Sequence, residues 1–366
     1  MVFQSSPYLF LHISSYEISS LYSLLGSGFT YKCDLSPTLQ LHLFRTFICP
    51  VLLTGLSTFA IRPSNLEPLA VFQRKILKSI FKLSKCASTS AIHFLAAELP
   101  IEGKLHRDMF SLFYSIWKNP HMKIFRIVKY LLETSSKNSK TFSIRLRQLS
   151  EMYGIDDPLT CLLKDPPSKH SYKEYILTKI TSFHERELRL SAEANSRMQY
   201  FNVTLGNLRA RAHPAVSNML TSEEVRQSRP HIKMLTGDFF TYELKSKQTG
   251  GSDHCRCCNK NDSNYIPNPE TISHLLTICS AFQDIREKIL QEMIHICERI
   301  QYLDTLYIFQ DKEVLCQFIL DPASMNLKSR VNINDPLLPD LYRKSRNLCY
   351  SIADQRLTIL KEKRSC

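Results

Sequence analysis

The sequence predicts a mainly α-helical fold, and three observations carry that expectation. Only nine glycines and one tryptophan occur in 366 residues, which disfavours a β-rich barrel or a Gly-rich nucleotide fold. Apolar residues recur at helical spacing over long stretches. Prolines, glycines and short polar runs separate those stretches. With 43% apolar residues, the chain can bury a real core and divide into two or three domains. No GxxxxGK or GxGxxG phosphate loop occurs.

Residues 1–62 are apolar and nearly free of acidic groups, with a turn-like GSG at 26–28. HLFRTFICPVLL (42–53) reads as a helix ended near Pro50, or as a helix followed by a strand. Ser64-Asn65-Leu66-Glu67 has the spacing of a capping box, unless Pro68 marks the first turn. Then LAVFQRKILKSIFKLSK (69–85) places Leu69, Phe72, Ile76, Ile80 and Leu83 on one helical face. Arg74, Lys75, Lys78, Lys82 and Lys85 fall opposite, within an arc of roughly 100°. No acidic residue lies between Glu67 and Glu98. Such a face suits phosphates, or it is simply the solvated side of a surface helix.

Further amphipathic helices are expected over 91–134, broken at Pro100 and Pro120, before the polar loop SSKNSK (135–140). His93 and His106 lie among apolar residues and read as core or surface histidines. A short helix around 141–152 precedes YGIDDP (153–158) and the DPPS turn. Residues 169–200 form a long charged helical stretch, in which HERELRLSAE (184–193) reads as a salt-bridged solvated face. Residues 201–245 give mixed signals, with breaks at Gly206, Pro214, Pro230 and Gly237. QTGGSD (248–253) reads as a hinge, 281–301 as helix, and NDPLLPD (334–340) as the separator of a last short helix.

Forty-seven Lys+Arg against 34 Asp+Glu give a net charge of +13, which favours polyanion partners through long-range attraction. Of twelve cysteines, eight are scattered singly and four cluster between 255 and 279. That distribution suits an intracellular metal site better than a secreted disulfide framework. The N-terminal segment has no basic n-region, and FICPVLLTGLSTFAI (47–61) is too short and interrupted for a membrane span. The expectation is a soluble intracellular protein, nuclear or cytoplasmic, with no membrane partner.

The most specific chemistry lies in HCRCCNKN (254–261) and SHLLTICSAF (273–282). Cys255-x2-Cys258 offers two thiolates on one turn, and His274-x4-Cys279 returns an imidazole and a third thiolate. Three sulfurs and one nitrogen make a closed tetrahedral Cys3His set, the pattern of structural zinc with no open position for a reactive water. Cys257 and His254 are neighbouring donors, but Cys255 and Cys257 have a single residue between them and chelate less well.

These segments, with IRE following, resemble the C-terminal zinc-binding segment of jockey-like non-LTR retrotransposon reverse transcriptases. YSLLGSGF (22–29), LSPTLQLHLFRTFICPVLLTGL (35–56), LEPLAVFQRKILKSIFKL (66–83) and SAIHFLAAELPIEGKLH (90–106) are similar to the palm end and thumb of the same elements. The likeness spans roughly residues 19–300, and SRNLCYSIADQRL (345–357) looks like their tail. It implies a palm remnant over 1–62, a helical thumb-like domain over 63–134, a helical linker over 135–247, a small zinc-stabilised domain over 248–301 and a helical tail over 302–366. It also implies that the basic face of 69–85 follows a template–primer backbone, RNA or DNA, without reading sequence.

The family's metal motif is Y-x-D-D on a hairpin; here the spacing is Tyr153-x-x-Asp156-Asp157, followed by Pro158. Asp156 and Asp157 are therefore expected as a helix cap and a turn residue. No catalytic residue and no catalytic metal are expected in this stretch. The resulting expectation is a non-catalytic fragment that binds nucleic acid. The alternatives are a truncated gene product of a full RNA-directed DNA polymerase, with palm and fingers before Met1, or a zinc-stabilised helical protein-interaction adaptor.

Overall fold

A computed structural model describes residues 35–61, 63–135, 141–203, 207–209, 212–217, 219, 221–258, 268–299, 308, 310–328 and 337–365. The expected palm remnant is thus seen only from Leu35 on; the GSG turn and Gly206 lie outside the described residues. Among those residues the fold is mainly α, and the only extended pairing is one antiparallel bridge between His254 and Pro269. The first half comprises α1 (Pro37–Leu43), α2 (Cys49–Leu53), α3 (Pro63–Ile80), α4 (Thr89–Ala96), α5 (Ile101–Trp117), α6 (Lys123–Thr134), α7 (Phe142–Tyr153), α8 (Pro158–Leu162) and α9 (Lys169–Glu193). The second half comprises α10 (Ser222–Leu235), α11 (Tyr242–Thr249), α12 (Gln283–Arg299), α13 (Lys312–Leu320) and α14 (Leu338–Ser365).

Local sequence explains most of the helix starts. Ser36, Ser88, Thr141, Ser168 and Thr241 each accept a backbone N–H of the first turn on their hydroxyl. Asp157 and Asp311 do the same with a carboxylate. Each such cap contributes about 1 kcal/mol by satisfying donors that the helix leaves unpaired. Thr221 and Glu224 close a full capping box on α10. The box expected at Ser64–Glu67 is not used: α3 already begins at Pro63, and the Glu67 carboxylate instead takes Arg74 at 2.5 Å.

Prolines break fewer helices than their positions suggest. The alternative of a strand at 42–53 is overturned, because α1 runs through a π-turn (Phe44–Ile48) straight into α2. That widened turn precedes Pro50, whose ring would otherwise press on the carbonyl four residues back. Pro230 lies inside α10 rather than ending it, since the capping box and the buried face of Val225, Ser228, Ile232 and Leu235 hold the helix. The last helix is not short: α14 spans 28 residues and packs between α10 and α12.

One buried apolar cluster runs from Leu41 to Ala353. In the first half α5 packs on α9 and α3, and α4 packs on α9. The halves are joined by named bonds: the His213 N–H donates to the Leu95 carbonyl (2.9 Å), and the Tyr200 hydroxyl donates to Glu313 (2.6 Å). Ser84 is held by Asp238 through its backbone N–H (2.6 Å) and its hydroxyl. The turn carrying Asp238 needs a glycine. Gly237 has φ +66°, and a Cβ there would sit 2.1 Å from the Arg197 carbonyl oxygen.

Both singled-out histidines are core residues. His93 Nδ1 bonds the Glu98 carbonyl (2.7 Å), and His106 Nδ1 bonds the Tyr153 hydroxyl (2.7 Å). His231, also fully buried, bonds the Leu320 carbonyl (2.8 Å). Burial pushes His93 down to about 4 and His231 down to about 3, from 6.5. The unfolded chain therefore binds more protons than the folded one between about pH 6.5 and these values.

Two outcomes follow. Stability should fall as pH drops from 6.5 toward 4, by up to about 1.4 kcal/mol per pH unit for each such histidine; urea titrations across that range measure it. Gly237→Ala should cost about 1–3 kcal/mol for the left-handed backbone alone, and more for the collision. An unchanged unfolding midpoint would contradict the close approach to Arg197.

Candidate metal centre

Cys255, Cys258, His274 and Cys279 come together in the fold. All four are buried, and one ligand atom from each lies within 4.8 Å of the others. Their pairing is built from two short devices. In the first, segment 253–255 runs antiparallel to 268–270, with the Cys255 N–H donating to the Asn268 carbonyl (2.9 Å) and the Glu270 N–H to the Asp253 carbonyl (2.7 Å). This fixes the entry of the Cys255–Cys258 turn.

The second device is a π-turn, His274–Ile278, closed by the Cys279 N–H on the His274 carbonyl at 2.8 Å. On an α-helix, residues five apart point roughly 140° from one another. The wider i→i+5 turn brings them back to one side. The H-x4-C spacing thus works only because this turn is not α-helical. The Thr271 hydroxyl accepts the His274 N–H (2.9 Å), and the buried Arg286 guanidinium donates to the Cys279 carbonyl.

Cys255 and Cys279 sulfurs are 3.9 Å apart, Cys258 and Cys279 sulfurs 3.6 Å, and Cys258 Sγ lies 3.2 Å from His274 Nε2. Sulfurs placed tetrahedrally about 2.3 Å from one ion would be roughly 3.8 Å apart. The group can hold a metal ion and is compatible with structural zinc. His274 presents Nε2 to the sulfurs, while its Nδ1 is buried without a hydrogen-bond partner.

The electrostatics of the sulfurs point the same way. Thiols of Cys257 and Cys279 donate to Cys255 and pull it below its ordinary value. Cys279 is raised by that same hydrogen bond and by burial, and Cys258 by burial and the charge on Cys255. The more one sulfur is favoured as thiolate, the more its neighbours are pushed toward the thiol form. A cation among them reverses this, so ion binding must release protons.

The other expected residues fare differently. Of the basic face, only Arg74, Lys75 and Lys78 lie on α3, because the helix ends at Ile80. Lys82 takes a left-handed φ of 55°, with its N–H on the Ser79 carbonyl and the Leu83 N–H on the Lys78 carbonyl. That closure terminates the helix and puts Lys82 and Lys85 on the following turn. Lys78 donates to the Lys85 carbonyl (2.7 Å), and partial burial and Arg74 lower its pKa. Lys75 and Lys85 are exposed. Leu69, Phe72, Ile76 and Ile80 are buried as expected.

Asp157 is the cap of α8, taking the N–H groups of Leu159 (3.1 Å) and Thr160 (3.2 Å) on one oxygen and Arg147 on the other (3.0 Å). Gly154, at φ 62°, ends α7 just before it. YGIDDP is therefore a helix stop followed by a helix start.

Sequence reading missed what backs the centre. Glu270 is fully buried and pairs with Arg356 of α14 at 2.5 Å. Arg356 also lies over Phe239 and Tyr242, and Arg256 sits 4.5 Å from the Tyr242 ring centre. Nothing in a lone glutamate and an arginine 86 residues away marks them as partners.

Among the described residues no helix is long and apolar enough to cross a membrane. No protein-family model, curated protein or solved structure matches the chain.

Cys279→Ser should weaken binding of Zn2+ or Co2+ by more than the roughly 10–100-fold lost when only an outer partner of a ligand is removed. The exposed Cys86 serves as control, and Cys86→Ser should leave binding unchanged. Affinity should fall as pH is lowered, since protons compete for the same sulfurs and imidazole. Competition against a chromophoric chelator reads all three.

Proposed function

We propose that the chain is the C-terminal part, from the palm end onward, of a non-LTR retrotransposon reverse transcriptase, which holds nucleic-acid backbone without catalysing a reaction itself. The ion held by Cys255, Cys258, His274 and Cys279 is structural zinc in this reading. The observation that carries it is the buried Cys3His set, filled entirely by protein donors, on segments that resemble the end of those elements. Three thiolates and an imidazole in a closed set suit zinc, and a closed set leaves no place for an activated water. Zinc here ties together two short segments that each supply two of the donors.

The nucleic-acid part of the proposal rests on charge. The chain carries +13, and Lys75, Lys82 and Lys85 cluster at the C-terminal end of α3 and the turn beyond it. Arg74 contributes less than its position promises, because Glu67 already holds it at 2.5 Å. Three neutralised phosphates imply a salt slope of about −2.7, where five would have given about −4.5. Contacts of this kind position a duplex and tolerate any sequence.

A second reading, a protein-interaction adaptor, is favoured by one observation. α6 leaves Ile124, Ile127 and Tyr130 exposed, beside exposed Met122, while burying Val128 and Leu132. That is an unusually apolar face to leave in water.

The full chain should bind labelled DNA duplex and RNA–DNA hybrid with similar affinity, weakening steeply between 50 and 200 mM salt. Combined Lys75→Glu, Lys82→Glu and Lys85→Glu should weaken it at least tenfold and flatten the salt dependence. Undiminished binding by that variant would remove the thumb-like assignment. Zinc binding with no affinity for either duplex at low salt would favour the adaptor.

A further inference from the structure

Glu270 is a carboxylate in a place that ordinarily excludes one. It is fully buried, and only one of its oxygens is accounted for. Oε1 accepts from Arg356 (2.5 Å) and from the Tyr242 N–H (3.1 Å); Oε2 has no hydrogen-bond partner. A buried acceptor without a partner is costly, and a native fold rarely tolerates one without a reason. The reason lies beside it. An oxygen of Glu270 and the sulfurs of Cys255 and Cys257 lie within 4.8 Å of one another, all three residues being buried.

We propose that Cys255, Cys257 and Glu270 form a second metal site, joined to the first through Cys255 as a bridging thiolate. The ligand is a divalent d10 ion, Zn2+ or Cd2+, for which thiolate and carboxylate are ordinary donors. The proposal goes beyond the reading of the chain as a retroelement fragment and rests only on the first cluster holding an ion.

Charge supports two ions better than one. Four thiolates and the Glu270 carboxylate are balanced by two dications together with the guanidinium of Arg356. With a single ion, the second oxygen of Glu270 stays unsatisfied. Loading the second ion releases the Cys257 proton to solvent and gives Glu270 Oε2 its partner. Arg356 and the Tyr242 N–H both occupy Oε1, so Oε2 is the oxygen left for an ion. Cys257 is therefore neither a spare for Cys255 nor for Cys258; it serves the neighbouring ion. Three protein donors leave one position for a water, which makes this the weaker of the two sites.

The test is native mass spectrometry of the full chain, stripped of metal and titrated with Cd2+. The wild type should take up two ions, the second at higher free Cd2+. Cys257→Ser and Glu270→Gln should each stop at one, with an unchanged circular dichroism spectrum for Cys257→Ser. A single ion in the wild type at saturating Cd2+ overturns the proposal while leaving the first site intact. Two ions in Cys257→Ser overturn it as well. No bound ion in the wild type removes both sites together.

Discussion

Three sulfurs and an imidazole buried within one 4.8 Å group are a poor arrangement for a protein by itself. Sulfurs that crowd one another cannot all ionise, and kept as thiols they offer only weak hydrogen bonds. A cation at their centre turns mutual repulsion into attraction. The local backbone is built to bring these side chains together. The bridge at His254–Pro269 delivers two of the donors, and the π-turn at His274–Ile278 delivers the other two. The π-turn adds Leu275 and Leu276, both fully buried, to the core, so packing against α13 and α14 holds these donors in place, and an ion bound among them would add to that.

The role of α14 follows from that need. It lies between α10 and α12, and its far end reaches the metal segment. Arg356 meets Glu270 there, and Lys363 donates to the Arg256 carbonyl (2.8 Å) in the turn between the first two cysteines. A buried ion pair is a weak source of stability, because desolvation offsets most of its attraction. Its value here is placement. Removing either partner would strand a charge in the interior, so helix and turn must sit in one register relative to each other.

How much of this was legible in the sequence depended on how local the cause was. The helices of the first half were visible because caps, prolines and apolar spacing all act within a few residues. The clustering of the four donors was visible because their residue types and spacing are restrictive, even though the π-turn that makes the H-x4-C spacing workable carries no mark of its own. Pro50 and Pro230 misled because a proline states only what it cannot do; whether a helix widens around it or is held by its neighbours is decided by packing. Lys82 misled for the opposite reason. Its sequence neighbourhood continues the helical pattern, and the left-handed turn it adopts is one that glycine usually takes. Glu270 with Arg356 was out of reach, since nothing local links residues so far apart.

The end of α3 shows how such a local event changes a functional argument. Had the helix continued, five cations would have formed one straight face along about three turns. The early stop folds two of them onto a turn that Asp238 grips through Ser84. An acidic group thus enters the very place that the sequence left free of them, and it comes from a residue 154 positions away. Charges gathered at a bend cannot follow a backbone as a straight row can. They can grip a short stretch of it, with the chain's overall positive field bringing the polyanion close. The proposed contact is therefore a point of attachment rather than a track. Any extended grip on a duplex would have to be shared with other surfaces of the molecule.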